Sequence, residues 1–137
     1  MAPPPLARWV GTWRGTWTLH HLDGVDASDA VLVVEGDRLR YRWSHEGAQE
    51  GHLLVEAGEG RKITATWADS WLGEPSLTLD GAVRPTGLEL EGQYAATGEI
   101  WTWRIVLKEP ATLEMIDVSP AGTERTVVRF EGAPDLA

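Results

Sequence analysis

Cysteine is absent from the chain. That excludes disulfide staples, a thiolate nucleophile and sulfur-ligated metal, and it is the usage expected of a cytoplasmic protein. Positive charge is scarce: 12 Lys and Arg stand against 21 Asp and Glu, a formal net charge of −9. Such a surface repels phosphate backbones and anionic headgroups, so neither nucleic acid nor membrane is expected as a partner. No apolar run approaches the roughly 18 residues of a spanning helix, and no signal-peptide-like stretch follows Met1. Familiar catalytic signatures are missing too: no Gly-x-Ser-x-Gly elbow, no Gly-rich phosphate loop, no His-Glu-x-x-His. His20 and His21 are adjacent, so on a strand they point to opposite faces and cannot hold one ion together. Neither metal nor cofactor is expected.

What the chain does have is tryptophan, eight residues against a single phenylalanine and two tyrosines. Most fall on alternating positions of strand-like segments: Trp9, Trp13 and Trp17 first, then Tyr41 and Trp43, Trp67, Trp71, Tyr94, Trp101 and Trp103. A period of two sends alternate side chains to one sheet face, so these rings are expected to converge inward around an unfilled space. Each indole also carries an N–H that needs a partner when buried, which makes Trp an expensive filler.

At 137 residues the chain is read as one domain. A Pro-rich leader at 1–5 precedes a body at 6–132 and a tail at 133–137, and Leu6-Ala7-Arg8 can form one helical turn. Gly and Pro punctuate short alternating runs, predicting strands near 9–19, 29–35, 38–45, 51–57, 61–68, 75–80, 86–95, 99–108, 111–118 and 123–131. Tight connections join neighbours in antiparallel order. A meander of about ten strands avoids long exposed edges by closing on itself. The expected fold is therefore all-β, a closed antiparallel up-and-down barrel with a short N-terminal helical turn.

Register follows from the turns. A two-residue turn at Thr97-Gly98 pairs Tyr94 with Trp101, Gly92 with Trp103, Leu90 with Ile105 and Leu88 with Leu107, which leaves Gly92 as room opposite an indole. The next hairpins set Leu107 against Leu113, Ile105 against Met115 and Trp103 against Asp117, then Asp117 against Arg125 and Met115 against Val127. Asp117 and Arg125 beside Trp103 form either a polar anchor or a plain rim salt bridge. The 38–57 hairpin has two readings. An odd loop pairs Trp43 with Leu53 and Tyr41 with Val55, giving an apolar inner face. An even loop sets Glu50 opposite His45 and His52 opposite Trp43, building a His/Glu cluster inside. Arg38, Arg40 and Arg42 form an outer stripe, most simply a solvated one.

The segment Trp9-Val10-Gly11-Thr12-Trp13-Arg14-Gly15, with its Gly-x-Trp core, resembles the opening of calycin barrels, the superfamily of lipocalins, fatty-acid-binding proteins and nitrobindins. Thr66-Trp67-Ala68-Asp69-Ser70-Trp71, Trp101-Thr102-Trp103-Arg104 and Ser119-Pro120-Ala121-Gly122-Thr123-Glu124 resemble, in that order, an uncharacterised bacterial calycin-like domain family. Where that family tends to have His after the aromatic, this chain has Leu72. The resemblance implies that Trp13 closes one barrel end under an Arg of the last strand, Arg125 or Arg129. Nitrobindin-like haem binding would need an axial His on a late strand, and no His follows His52.

The expected ligand site is the set Tyr41, Trp43, Trp67, Trp71, Trp101, Trp103, Met115, Asp117 and Arg125, around a small, largely apolar or aromatic molecule. Asp69, His45 and Tyr94 are the candidates for proton chemistry. A carboxyl pressed between indoles loses hydration and tunes towards acid–base work, although Asp69 in Asp-Ser-Trp-Leu-Gly can equally cap a turn. Two functions follow: a carrier or sensor, or a cofactor-free cyclase or isomerase on a hydrophobic biosynthetic intermediate. Haem binding is the weaker third. Oligomeric state stays open, a homodimer included.

Overall fold

The computed structural model describes residues 4–21, 23–71 and 73–135, with the side chains of 73–75 left aside. A 3-10 turn at Ala7–Trp9 leads into ten strands: β1 (Gly11–His21), β2 (Gly24–Glu35), β3 (Arg38–Ser44), β4 (Ala48–Ala57), β5 (Lys62–Asp69), β6 (Gly73–Arg84), β7 (Gly87–Ala96), β8 (Glu99–Lys108), β9 (Thr112–Val118) and β10 (Glu124–Pro134). Each pairs antiparallel with its neighbours in sequence, and β1 pairs with β10 to close the barrel. All ten expected strands exist. Residues 1–3, Leu72 and the last two residues, on which parts of the sequence reading rest, lie outside the described set. No helix among the described residues is long and apolar enough to cross a membrane.

Alternation sorts the side chains as a half-buried strand demands. On β3, Leu39, Tyr41 and Trp43 are buried, while Arg38, Arg40 and Arg42 face out. The β7–β8 register matches the turn arithmetic in full, from Tyr94↔Trp101 to Leu88↔Leu107. The β8–β9 pairs Ile105↔Met115, Trp103↔Asp117 and Leu107↔Leu113 match as well.

Three details are corrected. Asp117 does oppose Arg125, but Met115 opposes Val128 instead of Val127, because a bulge between Thr126 and Val128 adds a residue to β10. On the β3–β4 hairpin the apolar parity holds, yet Tyr41 pairs with Gly51, Leu39 with Leu53 and Trp43 with Gln49. A turn of only three residues, 45–47, with Glu46 at φ 55° and Gly47 at φ 115°, draws the strands closer than either expected loop. His52 and Glu50 consequently lie outside, and no His/Glu cluster forms within. The space at Gly92 serves β6, not the indole: an added Cβ would stand 2.5 Å from Leu79 Cδ2 and 2.6 Å from Thr78 O.

The two barrel ends differ. At the end where β1 begins, Leu6 and Trp9 are fully buried and plug the opening. Trp9 Nε1 donates to Lys108 O (3.3 Å) and Trp13 Nε1 to Trp9 O (2.8 Å). Arg8 donates to Arg84 O and Pro85 O, and its guanidinium lies 5.6 Å from the Trp9 ring centroid. Trp13 thus belongs to the closed end as expected, but the cation over an indole is Arg8 on Trp9. Arg129 instead pairs with Glu114 and Glu131, and Arg125 sits with Asp117 near the other end.

Candidate ligand site at the barrel mouth

The end opposite the plug collects the ends of β1, β3, β5, β7 and β9. The alternation that makes a core lower down brings rings and polar groups here. Five rings run across the barrel in contact. Trp43 stacks on Trp17 (5.1 Å between centroids) and Trp17 on Tyr41 (4.7 Å). Tyr41 accepts a hydrogen bond from Trp67 Nε1 (2.9 Å), and Trp67 stacks on Trp103 (5.2 Å). The rings converge inward as expected, but at mid-height they pack on one another instead of surrounding an unfilled space. Above them Trp71, Tyr94, Trp101 and His45 are only partly buried, so the accessible aromatic surface is that of the mouth.

Tyr41, Gly51 and Asp69 form one row across β3, β4 and β5. The missing side chain at Gly51 lets the tyrosine ring lie across β4, where an added Cβ would meet its hydroxyl at 2.3 Å. Tyr41 Oη then donates to Asp69 Oδ2 at 2.6 Å. The other carboxylate oxygen accepts the Trp71 backbone N–H at 2.8 Å. Asp69 therefore caps its turn, as one of the two sequence readings had it, and anchors Tyr41 as well. Ser70 laces the same turn to β4: its hydroxyl bonds Gln49 Oε1 (2.8 Å) and accepts the Glu50 N–H (2.9 Å).

A second polar group lies across the mouth. Tyr94 Oη donates to Asp117 Oδ1 at 2.7 Å, and Arg125 Nη2 stands 3.5 Å from Asp117 Oδ2. Asp117 is 8% exposed. The Asp117–Arg125 juxtaposition was expected; Tyr94 as the donor to it was not.

The third group was missed. His45 Nδ1 and His21 Nε2 each lie 3.0 Å from the same oxygen, Asp26 Oδ2. His45 is stacked near Trp43 (6.3 Å) and edge-on to Trp71 (6.2 Å), which brings it against the aromatic wall. The close hairpin His21↔Gly24 carries the signal for His21, since it sets Asp26 opposite Leu19 one step into the strand. The other missed residue is Trp17, centre of the stack, whose parity with Trp13 was visible in the opening motif. Met115 is placed deeper, buried between Ile105 and Val128.

These groups do not form one catalytic cluster. Asp69, Tyr94 and His45 belong to three separate polar sets around the mouth. His52 lies outside, and His21 has both ring nitrogens engaged, Nδ1 accepting the Asp23 N–H. The histidines do not fit a late-strand axial ligand for haem.

Both tyrosine hydroxyls are held in the neutral form. Burial pushes the Tyr41 pKa well above its ordinary 10.0, and the Asp69 carboxylate pushes further the same way. Burial and then Asp117 raise Tyr94. In the unfolded chain both ionise near 10.0, so the folded state binds more protons above that pH. Their contribution to stability is complete below pH 10.0 and declines as pH rises towards the folded values. These are the only tyrosines. Tyrosinate difference absorbance of the folded protein should therefore stay flat through pH 10.0 and rise only with alkaline unfolding. Half-ionisation near pH 10.0 without loss of the near-ultraviolet dichroism would contradict the two bonds.

No protein-family model matches the chain, and no curated protein is significantly similar to it.

Proposed function

We propose that the chain is a calycin-like barrel that seats one small, flat, largely apolar molecule in its open mouth, as a cytoplasmic carrier or sensor. One observation carries this reading: partly exposed aromatic side chains gather at the end of the barrel opposite the Leu6–Trp9 plug. Trp71, Tyr94 and Trp101 present partly exposed ring surface above the packed run of Trp43, Trp17, Tyr41, Trp67 and Trp103. Apolar rings with a few fixed polar groups are the usual lining of a small-molecule site. The opposite end is plugged by Leu6 and Trp9.

Calorimetric titration with fluorene, a neutral flat hydrocarbon, tests it. Saturable one-to-one binding is expected, weakened about tenfold or more in Trp71→Ala, since a ring contact is worth about 1–3 kcal/mol of burial. Absence of saturable binding by fluorene and comparable flat molecules would defeat the reading.

The His45–Asp26 pair favours a second reading, a cofactor-free cyclase or isomerase. The Asp26 carboxylate 3.0 Å from Nδ1 favours the tautomer with its proton there and leaves the other ring nitrogen as the acceptor. Here His45 would shift a proton on a hydrophobic intermediate held against Trp43 and Trp71. His45→Ala should then abolish turnover while leaving ligand affinity within a few-fold.

A further inference from the structure

We infer that the ligand of this mouth is a neutral, carbonyl-bearing planar molecule, and not a pure hydrocarbon or an anion. The inference rests on the binding reading above and narrows its ligand class. Its ground is a one-sided hydrogen-bond balance. At the plugged end the indole N–H groups of Trp9 and Trp13 both reach backbone carbonyls. In the half of the barrel towards the mouth, Trp17, Trp43, Trp101 and Trp103 have buried Nε1 atoms without an acceptor. Trp17, Trp43 and Trp103 are 1%, 3% and 4% exposed. Buried donors are normally satisfied, and four in one half of a small barrel need an explanation.

The inward acceptors nearby do not supply it. Asp69 already receives the Tyr41 hydroxyl and the Trp71 N–H, and Asp117 receives the Tyr94 hydroxyl and faces Arg125. The hydroxyls themselves donate to these carboxylates and so are not spare donors. What remains is a surplus of N–H groups, of which those of Trp43, beside His45 and Trp71, and of the partly exposed Trp101 lie nearest the mouth. A complementary guest brings acceptor oxygens on a flat frame. The carboxylates Asp26, Asp69 and Asp117 around the same mouth oppose an anion, while a ketone or quinone oxygen accepts hydrogen bonds without carrying charge. Donors on ring walls satisfied by a carbonyl also give discrimination, because an analogue lacking the oxygen leaves them unpaired.

Equilibrium dialysis with the near-isosteric pair 9-fluorenone and fluorene tests this on the intact chain. Fluorenone is expected to bind about tenfold tighter than fluorene, the factor that one or two net hydrogen bonds supply. In Trp43→Phe, which keeps a ring and removes the N–H, that preference should shrink several-fold, with circular dichroism checking the fold. Trp101→Phe, nearer the rim, gives a second variant should the first fail to fold. Fluorene-9-carboxylate should bind more weakly than fluorenone. Equal affinity for fluorenone and fluorene would overturn the inference and leave the binding reading standing. Binding of neither would overturn both, and preference for the carboxylate would overturn the neutral class.

Discussion

Trp17→Ala should cost about 3–5 kcal/mol of stability, the range for truncating a fully buried large aromatic. Trp17 is 1% exposed and lies between Tyr41 and Trp43, with Phe130 at 6.4 Å. Its loss leaves Tyr41 and Trp43 without the ring that separates them, across a barrel whose backbone ladder cannot collapse to fill the gap. Urea unfolding should report a lower midpoint at an unchanged slope. Trp17→Phe should cost far less, because it keeps ring contact and deletes an N–H that has no acceptor. A loss below about 1 kcal/mol for the alanine variant would mean that the aromatic run is not a packed unit.

Gly51→Ala is the second large effect and the less intuitive one, since a single methyl on a β-strand is ordinarily harmless. Here the Cβ would lie 2.3 Å from Tyr41 Oη and 2.4 Å from Cζ. The ring must leave its seat, and with it go the bond to Asp69 and the stack on Trp17. Overpacking and the loss of the Tyr41–Asp69 hydrogen bond together put the cost at about 2–4 kcal/mol. The mechanism has a specific signature. In a Tyr41→Ala background the three nearest contacts of the added methyl are gone, so the Gly51→Ala step should cost much less there. Equal cost in both backgrounds would rule out the seat.

That row also marks how far the sequence carries. Strand number, closure and parity were legible, because apolar alternation and Gly-rich turns report them directly. The β7–β9 register was legible because Thr97-Gly98 is a two-residue turn that admits one pairing, with Gly98 at φ 79°. The β3–β4 register was not. Its turn places Glu46 at positive φ, and nothing about a glutamate announces that conformation. The four-residue change in pairing leaves every side chain on its expected face, so parity survived while Tyr41 acquired Gly51 and Asp69 as row partners. The bulge at Thr126/Val128 is a tertiary adjustment with no local cue.

The candidate site divides the same way. Its aromatic members were visible from periodicity, and Asp117 with Arg125 followed from counting along two hairpins. Hydrogen bonds that span non-adjacent strands were not visible. Tyr41 to Asp69 crosses β4, and Tyr94 to Asp117 crosses β8. Each depends on two ladders being right at once. The His21–Asp26–His45 group requires the β1–β2 hairpin and the β3–β4 turn to meet at one rim, which neither segment states alone.

The most direct test of the mouth as the binding site uses the indole N–H signals of uniformly nitrogen-15-labelled protein, assigned by single Trp→Phe variants, during titration with 9-fluorenone. Saturable shifts are expected at Trp43, Trp71, Trp101 and Trp103, with Trp9 and Trp13 unmoved behind their backbone carbonyls. Shifts led by Trp9 and Trp13, or a spectrum indifferent to the titrant at saturating concentration, would contradict binding at the mouth.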